Sequence, residues 1–275
     1  MSNKSSLVEE YRKFSAEKSL GQHFLTNKLV ADRMVEAAQL TRDDTVLEIG
    51  PGLGILSESL IASPAKTIIL CEKDEKFISY LKKKISNKRV KIILQDALVL
   101  IPSLQAPPPL KVVANLPYNI SSPVITSLLT ACPTLPETII VMLQREVAQR
   151  LSSKAGERNR GILTILVELF GKSKIIDKVS KNQFYPSPKV DSCVLEISNI
   201  KKPDLDVKLF MKMLKTSFAG KRKKLKNSLF STYKIPKDEA IEIEKRTGID
   251  SNLRPEDLDI KSWMDLYHEL QKRGV

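Results

Sequence analysis

Cysteine and histidine are scarce in this chain of 275 residues, and their scarcity excludes several chemistries at once. The three cysteines, Cys71, Cys132 and Cys193, stand 61 residues apart in turn, with no C-x-x-C pair. An odd, scattered set builds neither a disulfide framework nor a thiolate metal site, and it fits a reducing compartment. His23 and His268 are the only histidines, too few for an imidazole metal site. Long apolar runs are lacking as well: no segment approaches the ~18 uncharged apolar residues of a membrane span. The stretch MSNKSSLVEEYRKF has no apolar run and no cleavage-like site, so it does not read as a secretory signal. These absences lead to the expectation of a metal-free cytoplasmic protein with no membrane partner.

Positive charge, by contrast, is plentiful and unevenly spread. The net charge is +13, and residues 201–234 hold eleven Lys and Arg against Asp204 and Asp206. Residues 235–275 carry seven basic and ten acidic side chains. So concentrated a basic excess points to a polyanion, nucleic acid first, although a solvated helix face would also carry it.

The hydrophobic fraction of 42% suits one large domain, or a main domain with a smaller one. From 44 to 198 short Val- and Ile-rich runs alternate with helical stretches. TVLEIG (45–50), TIILCE (67–72), VKIILQD (90–96), KVVAN (111–115) and TIIVML (138–143) read as strands covered on both faces. Helices are predicted over 53–62, 74–86, 122–131 and 144–153. Such alternation implies parallel strands with right-handed crossovers, a doubly wound α/β sheet. SKIIDKVS (173–180) and DSCVLEIS (191–198) read as closing strands around the Pro-rich turn FYPSPK. After NIKKPDLD (199–206) only helices are predicted, over 207–218, 221–231, 237–247 and 261–272. The expected division is a sheet domain over 1–200 and a small all-helical domain over 201–275.

LEIGPGLGIL (47–56) sets Gly50, Gly52 and Gly54 between the first strand and a helix. Glycines let a backbone approach a ligand closely and adopt positive φ. The dinucleotide fingerprint is G-x-G-x-x-G, whereas this loop is G-x-G-x-G with Glu48 just before it. A carboxylate there disfavours a pyrophosphate. E-x-G-x-G-x-G resembles the first motif of class I S-adenosylmethionine-dependent methyltransferases, whose Rossmann-like sheet binds a sulfonium that acidic neighbours favour. Glu72 ends the second strand, where a carboxylate can accept both hydroxyls of a ribose, or simply cap the helix near Asp74. Asp96 ends the third, placed to accept from an adenine amino group.

The fourth strand closes on Asn115-Leu116-Pro117-Tyr118. Pro117 holds Leu116 extended. The Asn115 amide oxygen and the Leu116 carbonyl give two acceptors, and Tyr118 gives an aromatic face. Together they describe a site for an exocyclic amino group on a flat ring. Accepting both N–H bonds frees the nitrogen lone pair toward an electrophilic methyl, so the protein contributes positioning and dipoles rather than a strong base.

N-L-P-Y resembles the fourth motif of adenine-amino methyltransferases, and the longer pattern resembles the ribosomal RNA adenine dimethyltransferase family of the KsgA type. SLGQHFL (19–25), NLPYNISSP, FYPSPKVDS, KRKKLKNSL and LRPEDL carry the resemblance over nearly the whole chain. It implies S-adenosylmethionine held by His23, Leu25, Gly50, Gly52, Gly54, Glu72, Asp96 and Asn115. At the position of His23 many bacterial members carry asparagine. It further implies dimethylation of N6 on two adjacent adenines in the 3′-terminal hairpin loop of small-subunit rRNA, within a pre-ribosomal particle, by a monomer. Loop adenines are partly unstacked, so flipping one costs little. Tyr118 would stack on the base, and Phe184 would either cover its other face or join the core. Lys221, Arg222, Lys223, Lys224 and Lys226 would contact RNA phosphates, as would the loop within REVAQRLSSKAGERNRG (145–161). Rival readings are a large-subunit rRNA methyltransferase of the macrolide-resistance type and a non-catalytic ribosome assembly factor.

Overall fold

The structure, a computed structural model, describes residues 9, 11, 14, 23–220 and 223–274. Two compact units emerge: residues 1–148 with 171–201, and residues 149–170 with 202–275.

The first unit is built on a seven-stranded sheet. Its strands are β2 (Thr45–Ile49), β3 (Thr67–Glu72), β4 (Val90–Leu94), β5 (Leu110–Asn115), β6 (Thr138–Gln144), β7 (Lys172–Val179) and β9 (Ser192–Ser198). They lie in the order β4-β3-β2-β5-β6-β9-β7. β2 to β6 run parallel, while β9 is antiparallel to both β6 and β7. The helices α2 (Ile55–Ala62), α3 (Glu75–Lys84) and α5 (Ser121–Thr130) follow β2, β3 and β5 in the alternation expected. The order reverses between β2 and β5, and a crevice opens at the strand carboxyl ends beside such a reversal. Among the described residues no helix is long and apolar enough to cross a membrane.

β2 is buried along its whole length, as a run without polar–apolar alternation predicts, and it takes Thr45 and Glu48 inside with it. β4 departs from that expectation: it is an edge strand, with Lys91 and Leu94 exposed, because among the described residues no strand lies beyond it. On the opposite edge, β7 presents Lys172, Lys174 and Lys178 to solvent, charges that discourage pairing with another chain.

Two features are absent from the alternation read in the sequence. α1 (Lys28–Ala37) is capped by the Asn27 side chain, which accepts from the Leu29 N–H. A two-stranded sheet joins β1 (Phe24–Leu25) to β8 (Phe184–Tyr185), which lies in the Pro-rich segment before β9. The Thr26 N–H and hydroxyl both donate to the Gln183 carbonyl, extending this junction. Two residues per strand are too few for a periodic signal.

The second unit is helical. It contains α7 (Ile162–Phe170), α8 (Val207–Ser217), α9 (Lys237–Thr247) and α10 (Ile260–Gln271), around a core that includes Ile165, Phe210, Leu229, Ile243 and Trp263. The expected division at residue 200 is therefore incomplete: residues 149–170 pack with the helical unit. Their reason is apolar, since α7 sets Ile165 into that core, with Ile162 and Leu169 packed against it. Of the helix expected over 221–231, residues 225–232 are helical, with a π-type stretch over Lys226–Phe230, and residues 221 and 222 lie outside the described residues.

Candidate active site

The loop after β2 turns sharply at Gly50, Gly52 and Gly54, with φ of 69°, 55° and 83°. These left-handed values favour glycine, and at Gly52 a Cβ would also lie 3.1 Å from the Phe24 ring. Gly54 ends the loop. Its lack of a Cβ is explained by packing, because a Cβ there would meet Leu81 at 3.0 Å. Gly54 also closes the turn, donating to the Pro51 carbonyl at 2.9 Å, and opens α2.

Glu72, at the end of β3, is the hinge of the site. One carboxylate oxygen accepts from the Gly52 N–H at 3.2 Å, the other from Lys73 and Asp74 N–H at 2.8 and 3.0 Å. Burial pushes its carboxyl up, and the three N–H donors hold it back toward ionisation. Asp74, not Glu72, caps α3. Behind the loop, Glu48 is 1% exposed and receives the Ser57 hydroxyl at 2.6 Å. Burial, with the neighbouring charge of Glu72, pushes Glu48 up to about 8.

Asp96 caps the short helix α4 (Ala97–Leu100) through the Leu98 N–H and pairs with Lys73 at 2.9 Å. The Lys73 ammonium holds the Asp96 carboxyl below the usual range. Lys73 is largely exposed.

Asn115 ends β5 opposite Met142 of β6. Its side-chain N–H donates to the His23 carbonyl at 3.3 Å, which leaves the amide oxygen as a free acceptor among the described residues. Pro117 lies against the glycine loop, its Cδ 3.6 Å from where a Gly50 Cβ would be. The Tyr118 hydroxyl bonds to the Ser192 hydroxyl at 2.8 Å, and burial raises its pKa. The His23 ring lies 5.4 Å from the Tyr118 ring. Its Nδ1 is 2.8 Å from the Pro186 carbonyl, which can only accept, so Nδ1 carries the proton.

These residues line two adjoining hollows. The first involves His23, Leu25, Glu48, Gly52, Asn115 and Tyr118; the second involves Cys71, Lys73, Gln95, Asp96 and Asn119. Gly50, Glu72 and Pro117 belong to both. Among the described residues no Lys or Arg lines the first hollow, while two carboxyls do. Such an acceptor-rich lining is wrong for a pyrophosphate and right for S-adenosylmethionine, whose sulfonium and ammonium are cationic and whose nucleoside offers hydroxyl and amino donors.

Other expected site residues divide into groups. Leu25 lines the first hollow, its carbonyl bonded by the Tyr11 hydroxyl at 2.7 Å. Of the two readings of Phe184 the core one holds. The ring is 4% exposed, it packs in the core cluster with Leu25, Met34 and Val194, and it lines neither hollow, because β1–β8 pairing turns it inward. Lys223, Lys224 and Lys226 are exposed in the helical unit, and Lys221 and Arg222 lie outside the described residues. In the loop 152–161, Lys154 and Arg158 are exposed but Arg160 is internal. Arg160 forks onto Glu168 at 2.5 Å and donates to the Ser153 and Leu258 carbonyls, so it holds the loop rather than offering charge. Ser57, Lys73 and Ser192 escape a reading of the sequence. Ser192 alone had a signal, as the last residue of FYPSPKVDS.

Over residues 13–272 the chain matches the ribosomal RNA adenine dimethylase family. It is 34% identical over 268 residues to the ribosomal RNA small subunit methyltransferase A of Ureaplasma urealyticum, an alignment covering 94% of each chain. Among solved structures, a dimethyladenosine transferase from Plasmodium falciparum is 28% identical, with a TM-score of 0.78 over 92% of this chain and 99% of that one. The 23S rRNA methyltransferase ErmE is 25% identical, with a TM-score of 0.69 over 90% of this chain and 99% of that one. A family match over nearly the whole length, on a sheet whose crevice carries two carboxyl-lined hollows and the Asn115–Tyr118 turn, settles descent: this chain belongs to the ribosomal RNA adenine dimethylase family.

Proposed function

We propose that this enzyme, an S-adenosylmethionine-dependent small-subunit rRNA adenine dimethyltransferase, modifies N6 of two adjacent adenines in the 3′-terminal hairpin loop. The observation that carries the site assignment is the amide oxygen of Asn115, unpaired among the described residues, at a strand end, beside a tyrosine fixed at its hydroxyl. His23, Leu25, Gly50, Gly52, Gly54, Glu72, Asp96 and Asn115 hold the cofactor, with Glu72 at the ribose and Asp96 at the adenine amino group. When bound, S-adenosylmethionine supplies an electrophilic methyl group.

The protein's own residues prepare the acceptor. Tyr118 stacks on the flipped target base, which a hairpin loop releases at small cost. The Asn115 Oδ1 and the Leu116 carbonyl accept the two N6–H bonds, which disfavours delocalisation of the nitrogen lone pair into the ring. Catalysis is then positioning plus fixed dipoles, and the surplus proton leaves to water. Lys223, Lys224 and Lys226, with Lys221 and Arg222, contact phosphates and orient the RNA without reading its sequence. The substrate is a pre-ribosomal small subunit in the cytoplasm, and the enzyme acts as a monomer.

A large-subunit target is the second reading, favoured by the fold shared with ErmE. Against it stands the higher identity to a small-subunit relative. Labelled methyl transfer to separated, unmodified subunits decides between them. Incorporation into small subunits alone supports the proposal, and incorporation into large subunits alone replaces it.

A further inference from the structure

We propose that Ser192 is a positioning residue for methyl transfer: its hydroxyl fixes the Tyr118 ring in the attitude that receives the target adenine. The inference rests on the reading of Tyr118 as the platform for that base.

Ser192 opens β9 with its backbone held on both sides, paired with Gln144 of β6 and with Val179 of β7. Its side chain is 0% exposed, in a strand that otherwise buries Cys193, Val194, Leu195 and Ile197. A hydroxyl costs stability in such a place unless it is bonded. Among the described residues, the bond it makes is to the Tyr118 hydroxyl at 2.8 Å. Packing alone would be served equally by a phenylalanine against an alanine. The phenol–hydroxyl pair adds direction.

Tyr118 is held at its other end too. Pro117 precedes it, the Ser121 hydroxyl donates to its carbonyl at 3.2 Å, and the His23 ring lies 5.4 Å from its own, tilted by 34°. A ring restrained at both backbone and phenol presents one face before substrate arrives. The ordering cost of stacking is then met during folding, and the amino group enters at a set angle to Asn115. Ser192 itself lines neither hollow, and its hydroxyl reaches the site through Tyr118.

The test is a double-mutant cycle on the full chain, reading single-turnover methyl transfer to unmodified small subunits and cofactor affinity by calorimetry. Ser192→Ala and Tyr118→Phe remove the same bond from opposite ends. Each is expected to slow transfer about tenfold, a worth typical of one well-placed hydrogen bond, and to leave cofactor affinity unchanged. The double variant is expected to be no slower than either single one. Wild-type transfer in Ser192→Ala, or a double variant slowed by the product of both losses, would overturn the proposal. Should Ser192→Ala fail to fold, Tyr118→Phe carries the test, and a wild-type rate there overturns it. Tyr118→Ala addresses the platform itself: if it transfers as fast as wild type, the reading beneath the proposal is wrong, whatever the cycle shows.

Discussion

Glu48 shows how a single residue links sequence, burial and pH. A carboxyl that is 1% exposed, with one hydroxyl donor and Glu72 beside it, is held protonated well above its ordinary range, to about 8. Because the folded pKa exceeds the ordinary 4.5, the native state binds more protons than the unfolded state between those values, and stability falls as pH rises through the window. Each pKa unit corresponds to about 1.4 kcal/mol, so ionising Glu48 costs roughly 5 kcal/mol in full. Glu48→Gln, isosteric with the neutral acid, removes this slope. Denaturant melts from pH 5 to 9 should show wild type losing stability relative to the variant, and parallel curves would contradict the assignment. The sequence placed Glu48 before the glycines but not its protonation, which depends on how many donors the fold supplies. Asn115 and Tyr118 were legible because their order is chemically unusual at a strand end. Phe184 was open to two readings because an aromatic residue beside a Pro-rich turn suits core and ligand alike.

The elements were legible in proportion to their periodicity. The seven long strands and the helices after β2, β3 and β5 emerge from Val- and Ile-rich runs separated by helical stretches. β1 and β8 escaped notice because two residues have no period, yet they bring Phe24 onto the glycine loop. α7 escaped because ILTILVELF is apolar except for Thr164 and Glu168, too short a run to tell helix from strand, and its partners lie far along the chain. Gly52 follows from this geometry as a test of the loop. Gly52→Ala forces a side chain into a left-handed backbone, costing ~1–2 kcal/mol, and crowds Phe24. Calorimetry should show cofactor affinity falling about tenfold or more with the fold retained. Unchanged affinity would mean that the loop does not hold the cofactor.

At the scale of the whole molecule the evident quantity is charge. A net +13 favours association with RNA through released counterions, so binding should weaken linearly in the logarithm of salt concentration. Lys223, Lys224 and Lys226 are exposed in the helical unit, and replacing all three by Ala is expected to lower that slope by about two. Filter binding to unmodified small subunits over a salt series checks it, and an unaltered slope would move the RNA contact elsewhere. The charge asymmetry was visible in composition. That residues 149–170 join the helical unit was not, since a chain that leaves a domain and returns leaves no mark on local pattern.

The central claim is that Asn115 lies at the centre of a site that dimethylates two neighbouring adenines. Small subunits from a strain lacking the modification would be treated with enzyme and S-adenosylmethionine, and their 3′-hairpin fragment read by mass spectrometry. Four added methyl groups on two adjacent adenines, absent with Asn115→Ala, are the predicted result. An unmodified hairpin, or full modification by the Asn115→Ala enzyme, would contradict it.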